Sequence, residues 1–516
     1  MRVPLAQYPG MNRFVLDWMG GDERFLSRSN VVSRAVPNPR LKPGANFADA
    51  LKESNKRWGI FASDALKRWA GGGTLTIIAG QQVGFAGGPL YTLAKLASLV
   101  RFKRDMEKQG IPVTAFFWLA TEDHDFDEVA TLNVPVATLP KEKNVNRQLD
   151  LLCMRAIRMH ASHPRDSRAV VGSLPVPGAL IAQLLALYDI PRPPWLREGI
   201  TFRDSFAELI GTAFGSEIIL VDALLPELRR AGAPLFEQID QRRDEIQRVL
   251  HDRAQRLEAA GYKEQVIPRD GNEYTLLYEL DDRGNRQPYD SAQGRPPTAN
   301  RQPERTSTSA LTRPLLQDFV FQPDIFLGGP AEVAYYAQIS PLHRLLGVPM
   351  PRVALRGHVL VAPKRIERAF ERYGIEPAEV FQSADAILAD KEPEAVTRVR
   401  AITESAKRDL LTRIEDINEL ALPADHSLAG SIQRSIGHLE YHFDKLSERA
   451  IKGLVRKDRE RYAATRELVA TLYPDRHVQD RVVSWFSYWC QYGNVLVDRV
   501  IEEVEPDSAY FKVVSL

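Results

Sequence analysis

Cysteine is almost absent from this chain: Cys153 and Cys490 are its only two, and no CxxC pair occurs in 516 residues. That excludes a disulfide framework and a thiolate zinc centre, and it predicts a reducing, cytoplasmic setting. Both thiols are read as buried and inert, the commoner state of a free cysteine, rather than as nucleophiles. An excess of one charge is missing too, with 68 Lys and Arg against 67 Asp and Glu. A net charge of +1 offers no electrostatic case for a nucleic-acid or membrane partner, so the expected ligands are small molecules. Long apolar runs are lacking: nowhere do about 18 apolar residues follow one another, and the opening MRVPLAQYPGMNRFVLDWM has no apolar signal core. Neither a membrane span nor a signal peptide is predicted. GxGxxG and GxxxxGK(S/T) are also absent, and no second histidine lies near His124 at zinc spacing, so no metal site is predicted.

What remains is an ordinary globular composition, 44% apolar and 26% charged, at a length that suggests two or three domains. The strongest pattern lies in 74–128. Thr74–Ala79 and Val113–Ala120 are short apolar, β-branched and aromatic runs, and between them Leu93, Leu96, Ala97 and Val100 recur at helical spacing. This is a strand, helix, strand unit, and continuous apolar strands belong to a parallel sheet buried on both faces. Each strand runs into a polar loop, GQQVGFAGG after the first and EDHDFDE after the second. The carboxyl edge of an open α/β sheet is where ligands bind.

In the first loop Gly80, Gly84, Gly87 and Gly88 permit positive φ or close backbone approach, and Gln81 and Gln82 offer amide donors and acceptors. Pro89 suits a first helical position, and free amides at that helix start would suit a phosphate or carboxylate; a plain glycine turn is the alternative. The second loop places five carboxylates within seven residues, Glu122, Asp123, Asp125, Asp127 and Glu128, around His124. Such a cluster can hold an ammonium group, hold Mg²⁺ through water, or act as an acid–base pair with His124; a solvated surface face is the alternative.

Residues 11–70 read as helical, with Trp18, Trp58, Leu66 and Trp69 packing on the sheet. Val134 to Leu152 reads as extended, and 160–265 as mostly helical, interrupting the α/β pattern. A hairpin follows in EYTLLYELDDRGNRQPYD, and 284–306 has hardly any apolar residue, as suits a mobile loop. The α/β pattern returns with a strand near Asp324–Leu327, a second Gly-Gly-Pro helix start at Gly328, Gly329 and Pro330, and a strand near Arg352–Leu355. Two such helix starts fit the halves of one doubly wound sheet facing a shared cleft. Arg313, Gln317 and Asp318 precede the first of these strands, and Arg352, Arg356 and Lys364 follow it; the cations suit a carboxylate or phosphate or, singly, surface ion pairs. Apolar stripes from Val399 to Ile417 and from Leu428 to Leu454, separated by LPADHSLAG, predict an antiparallel coiled-coil hairpin whose surplus apolar face fits a second protomer. The aromatic helix carrying Trp485, Phe486, Tyr488, Trp489 and Tyr492 is read as core rather than as a nucleobase platform. The predicted division is 1–159 for the first half of the α/β core, 160–306 for an inserted connective subdomain with the mobile loop 284–306, 307–388 for the second half, and 389–516 for the helical dimerisation region.

The blocks AGQQVGFAGGPLYTLAK, FFWLATEDHDFDEV, LTRPLLQDFV, FLGGPAEVAYYAQI, GVPMPRV and LYPDRHVQDRVVSWFSYWCQYG, in this order over nearly the whole chain, resemble the family of bacillithiol biosynthesis cysteine-adding enzymes. The resemblance implies an α/β fold with a Rossmann-type, nucleotidyltransferase-like parallel-sheet core, inserted connective subdomains and a C-terminal α-helical coiled coil that makes homodimers. It implies a cytoplasmic ligase that joins L-cysteine to the amine of glucosaminyl-malate through an amide bond, the last step of bacillithiol biosynthesis. Direct condensation of a carboxylate with an amine is uphill in water, so ATP and Mg are implied, with an aminoacyl-adenylate as the simplest activated form. The resemblance also relates this core in outline to the aminoacyl-tRNA synthetases, but their HIGH and KMSKS segments are absent, and GQQVGFAGG stands where the first would be.

Within this frame Gln81, Gln82 and Gly84, on the glycine loop with Gly80, Gly87 and Gly88, would contact the sugar or a nucleotide. Glu122, Asp123, His124 and Asp125 would hold the cysteine ammonium or deprotonate the attacking amine. Gly328 and Gly329, with Arg313 or Arg352 and their neighbours Gln317 and Asp318, would receive a carboxylate or phosphate. Two other readings fit the same residues: an ATP-dependent nucleotidyl or amino-acid transferase on another small acceptor, and a coiled-coil scaffold whose core only binds a metabolite. Acceptor profiling separates the first, and ligand-dependent thermal shift without turnover would single out the second.

Overall fold

The computed structural model describes the chain except for residues 29–44, 124, 127–128, 130, 136–153, 159–168, 269–272, 283–284 and 289–301. Its strands are β1 (Arg2–Pro4), β2 (Leu75–Gln81), β3 (Val113–Leu119), β4 (Thr131–Pro135), β5 (Met154–Arg158), β6 (Ile219–Asp222) and β7 (Leu277–Leu280), followed by β8 (Arg286–Pro288), β9 (Thr306–Thr308), β10 (Ile325–Gly328), β11 (Arg352–Leu355), β12 (His358–Ala362) and β13 (Tyr510–Ser515). The central sheet has the order β11-β10-β2-β3-β6, parallel throughout. β3 is buried at every residue, as a strand covered on both faces must be. The helix Leu90–Glu107 joins β2 to β3 and buries Leu93, Leu96, Ala97 and Val100. Trp18, Trp58, Leu66 and Trp69 are buried, and the Trp69 ring meets Phe116 of β3 at 4.9 Å.

The chain builds outward from β2 through β3 to β6, then returns to the other side of β2 with β10 and β11. The switch point therefore falls between β2 and β10, where the loops leaving the two strands part in opposite directions and open a crevice. β6 corrects the reading of 160–306 as an insertion outside the sheet, because Ile219–Asp222 pairs with Phe116–Leu119. A strand this short, set between the helices Phe202–Phe214 and Pro226–Gln241, is too brief for periodicity to separate it from a helical turn. β7 and β8 form the predicted hairpin, and β9 pairs with the other edge of β7. Most of the 284–306 loop lies outside the described residues, as do Cys153 and most of Val134–Leu152; β4 and β5, on either side of the latter, pair antiparallel.

The described chain divides into two units, Met1–Val361 with His477–Leu516, and Ala362–Arg476. The last forty or so residues thus belong with the α/β core rather than with the helical region predicted at 389–516. The physical reason is visible in two places: β13 pairs with β1, and the helix Trp485–Tyr492 buries Trp485, Phe486 and Tyr488. In the second unit the helices Pro393–Ala421 and Ala429–Val455 run antiparallel, with Thr403 Oγ1 at 3.2 Å from Ser447 Oγ and Lys407 Nζ at 3.2 Å from Asp444 Oδ1. Ile402, Ile417, Leu420 and Leu446 of this hairpin are exposed. Cys490 is half-buried, and burial pushes its thiol up to about 12. Among the described residues no helix is long and apolar enough to cross a membrane.

Candidate active site

The carboxyl ends of β2, β3 and β10 border a cavity of about 710 Å³. β2 contributes Gly80 and Gln81, with Gln82 next in the chain; Ala120, Glu122 and Asp123 follow β3, and Gly329, Pro330 and Glu332 follow β10. Gly80 is required where it stands, because a Cβ there would lie 2.8 Å from the Trp118 Cβ on the neighbouring strand.

A buried lysine holds the two sides of the switch point together. Lys95 Nζ donates to Gly80 O at 2.6 Å, to Gln81 Oε1 at 2.8 Å and to Glu332 Oε2 at 2.6 Å. Glu332 Oε2 also accepts the Gly329 N–H at 2.7 Å, capping the helix Pro330–Leu345. Burial draws the Lys95 amine below its ordinary value, and the Glu332 carboxylate opposes that shift. One proton-rich nitrogen therefore fixes the end of β2 and the second Gly-Gly-Pro helix start relative to each other.

The groups left facing the cavity are few. Gln82 Nε2 donates to Asp123 Oδ2 at 2.8 Å, which orients that carboxylate and leaves Gln82 Oε1 buried with no partner. The Tyr335 hydroxyl is buried without a partner as well, and burial pushes its pKa above the ordinary tyrosine value, so it stays a neutral donor. Arg313 is half-buried on the wall, and among the described residues no ion pair or hydrogen bond engages its guanidinium. Arg286, which stacks at 4.1 Å on the Tyr278 ring and donates to Thr308 O, comes within 3.9 Å of Asp123.

Several predicted site residues do not face this space. Glu122 lines the wall, but its oxygens accept from Ser307 Oγ at 2.7 Å, Thr308 Oγ1 at 2.6 Å and Arg229 Nη2 at 3.4 Å, so it ties the loop to β9. Asp125 is exposed and outside the lining, while His124, Asp127 and Glu128 lie outside the described residues. Gly84, Gly87 and Gly88 serve packing: a Cβ on Gly87 would sit 2.3 Å from Trp485 Nε1, which donates to Gly87 O at 3.0 Å. The first helix start is closed in the same way, with Leu90 N donating to Val483 O at 2.8 Å rather than to a ligand. Gln317 and Asp318 are buried away from the lining, where Asp318 accepts from the Tyr336 hydroxyl at 3.0 Å and pairs with His343 Nε2 at 2.9 Å. Arg352 pairs with Asp507 at 2.9 Å, and Gly328 packs on Phe326.

The sequence reading missed Lys95, Glu332, Tyr335, Arg286 and Arg481 as lining residues. Lys95 had a signal, a single charge inside the apolar run TLAKLASLV, and Glu332 stands three residues after Gly329, at capping-box spacing. Arg481 had none, since only the return of 477–516 to the core brings it there. Among the described residues no group of three or more His, Cys, Asp or Glu side chains converges as a metal site.

Comparison with known proteins covers nearly the whole chain, and the second family domain takes in 477–516 as well as the helical unit. Residues 22–357 match the family described as "Bacillithiol biosynthesis BshC, N-terminal Rossmann-like domain", and residues 359–516 match "Bacillithiol biosynthesis BshC, C-terminal coiled-coil domain". A protein of Koribacter versatilis (strain Ellin345) is 28% identical over 532 aligned positions, covering 97% of this chain and 97% of its own. One from Solibacter usitatus (strain Ellin6076) is 28% identical, covering 86% of this chain and 85% of its own. One from Bacillus cereus (strain AH187) is 27% identical over 83% of this chain and 82% of its own. All three carry the name "Putative cysteine ligase BshC". With matches that together span nearly the whole sequence, the chain belongs to the bacillithiol biosynthesis BshC family.

Proposed function

We propose that this chain condenses the carboxyl group of L-cysteine with the amine of glucosaminyl-malate, forming the amide of bacillithiol as the last step of its biosynthesis, in the cavity at the switch point. The observation that carries this reading is an unengaged guanidinium, Arg313, in the same cavity as a Gln82-oriented carboxylate, Asp123, on a core of the BshC family. Arg313 suits the anionic partner, whether a substrate carboxylate or a phosphate, and can engage it in bidentate fashion. Asp123 suits the amine: it holds the ammonium form by charge and takes up its proton as the nitrogen attacks the carboxyl carbon. The buried Gln82 Oε1 and the Tyr335 hydroxyl supply one acceptor and one neutral donor, which match hydroxyl and amide groups of a sugar. A cavity of about 710 Å³ is of ordinary size for such a ligand.

Condensing a carboxylate with an amine releases water and is uphill, so the carboxyl oxygen must first become a leaving group. ATP, with Mg²⁺ on its phosphates, would supply that activation, and Arg313 with Arg481 at the rim would receive the polyphosphate. The exposed Ile402, Ile417, Leu420 and Leu446 of the helical hairpin would be covered by a second protomer, making a homodimer. The test is exchange of labelled pyrophosphate into ATP. Exchange that depends on cysteine and not on the acceptor supports activation of the cysteine carboxyl. A folded protein that binds cysteine but shows neither exchange nor product would sink the reading and favour a metabolite-binding scaffold.

A further inference from the structure

Gln81, the last residue of β2, and Gln82 after it both line the cavity, yet their carboxamides are held in opposite senses. An amide is nearly symmetric in shape, so its partners decide which end faces where. Lys95 Nζ touches three acceptors, Gly80 O, Gln81 Oε1 and Glu332 Oε2, which uses all three N–H bonds of an ammonium. An ammonium accepts nothing, so it grips Gln81 by the oxygen. Asp123 Oδ2, a carboxylate oxygen, donates nothing and grips Gln82 by the nitrogen. Turning either amide over would set donor against donor or acceptor against acceptor. Gln81 therefore offers N–H to the cavity, and Gln82 offers C=O.

One Gln81 N–H donates to the Tyr91 hydroxyl at 3.3 Å, and among the described residues nothing takes up the second. Tyr91 and Lys95 stand four residues apart on the helix Leu90–Glu107, on one face, so that helix holds the carboxamide at both ends. Gln81 itself is half-buried at the cavity wall. Lys95 is buried, and its charge, little screened there, draws electron density toward the Gln81 oxygen. The second N–H is thereby a stronger donor than that of an ordinary carboxamide.

A donor of that kind suits an oxygen that turns negative. In the condensation the amine nitrogen attacks an acyl carbon that bears a phosphate leaving group, the class of compound that activation by ATP gives. The C–N bond forms as the C=O π pair moves onto the carbonyl oxygen. That pair then returns, the C–O bond to the phosphate breaks with its electrons on the leaving oxygen, and the nitrogen's proton passes to Asp123. The carbonyl oxygen carries a full charge only between these steps, and a fixed donor aimed at it lowers the barrier without reorganising. Asp123 is held by Gln82, the next residue after Gln81, so the proton acceptor and the oxyanion donor are set by neighbouring residues at one strand end. We infer, on the function proposed above, that Gln81 donates to the oxyanion of the condensation and that Lys95 is the positioning residue that turns and polarises its carboxamide.

The experiment is calorimetric titration of the full-length protein, at a temperature where every variant is folded, with the product amide and with an analogue carrying a phosphonamidate in place of the amide carbonyl. The analogue's tetrahedral, negative oxygen stands where charge develops. The wild type should bind the analogue about a hundredfold more tightly than the amide. Gln81→Met, of similar length and without a donor, should lose about that factor for the analogue and about threefold or less for the amide. Gln81→Glu, which keeps an oxygen on Lys95, should lose at least as much for the analogue. Lys95→Met should lose most of it too, and the double variant no more than Gln81→Met alone, because the lysine acts through the glutamine. A merely structural lysine would weaken both ligands alike and add its loss to that of the glutamine. The inference is overturned if Gln81→Met weakens amide and analogue by the same factor, if the losses of the two substitutions multiply, or if the wild type binds the analogue no better than the amide. Failure of the ligase reading shows separately, as a folded wild type that holds this binding preference and yet makes no product from L-cysteine, glucosaminyl-malate and ATP.

Discussion

Replacing Lys95 by methionine removes the ammonium that joins β2 to the second helix start while keeping most of the side chain's volume. Three acceptors lose their donor: Gly80 O, Gln81 Oε1 and Glu332 Oε2. Gly80 O is buried, so stranding it costs about 1–3 kcal/mol. Gln81 is half-buried and can turn toward water. Glu332 keeps the Gly329 N–H, and its side chain is 24% exposed, so it sits below the 3–5 kcal/mol, roughly, that breaking a fully buried pair costs. Relief of the lysine's own desolvation offsets part of the loss. The expected net destabilisation at neutral pH is about 2–3 kcal/mol, read as a lower urea midpoint at unchanged m-value. The pH dependence follows from the depressed amine. Between its folded-state value and the ordinary 10.5, the unfolded chain binds the proton more tightly than the folded one, so wild-type stability gains with rising pH through this group. Methionine has no such gain, and the gap between the two proteins should widen as pH rises toward 10.5. A gap that narrows over that range, or one below about 0.5 kcal/mol at neutral pH, would refute the reasoning.

Glu122→Ala strands the buried Arg229 guanidinium, which burial already disfavours, and should cost about 3–5 kcal/mol in urea unfolding even with no ligand present. Gly87→Ala places a methyl group 2.3 Å from Trp485 Nε1 at a φ of +84°, and should lose about 2 kcal/mol or more, with a change in tryptophan fluorescence as Trp485 is displaced. Ile417→Glu combined with Leu420→Glu should shift the sedimentation coefficient to that of a monomer while the melting of the α/β unit stays unchanged.

The fold was legible where local pattern and tertiary role coincide. β2, the helix Leu90–Glu107 and β3 announce themselves because both strands are buried on both faces and the helix is periodic, and the coiled-coil hairpin repeats its stripe for nearly thirty residues a side. β6 escaped notice because four residues carry no period. The site was legible by location and only partly by residue. The carboxyl edge of β2 and β3 can be read from the two polar loops, yet composition alone does not tell that Glu122 faces inward to Ser307 and Thr308 while Asp123 faces the cavity. The glycines of the first loop misled for a physical reason. A positive φ at Gly87 and Gly88 serves a tryptophan arriving from nearly four hundred residues later as well as it would serve a phosphate. Arg481 depends on that same long-range return and carries no local mark.

The most direct test of the central claim is mass-spectrometric detection of the cysteine amide after mixing the purified protein with L-cysteine and glucosaminyl-malate, with and without ATP and Mg²⁺, for the wild type and Arg313→Gln. Product that requires ATP in the wild type, and falls about tenfold or more in an Arg313→Gln protein of unchanged melting temperature, is the expected result. Undiminished product in Arg313→Gln, or a folded wild type that yields none under any of these conditions, would contradict the account.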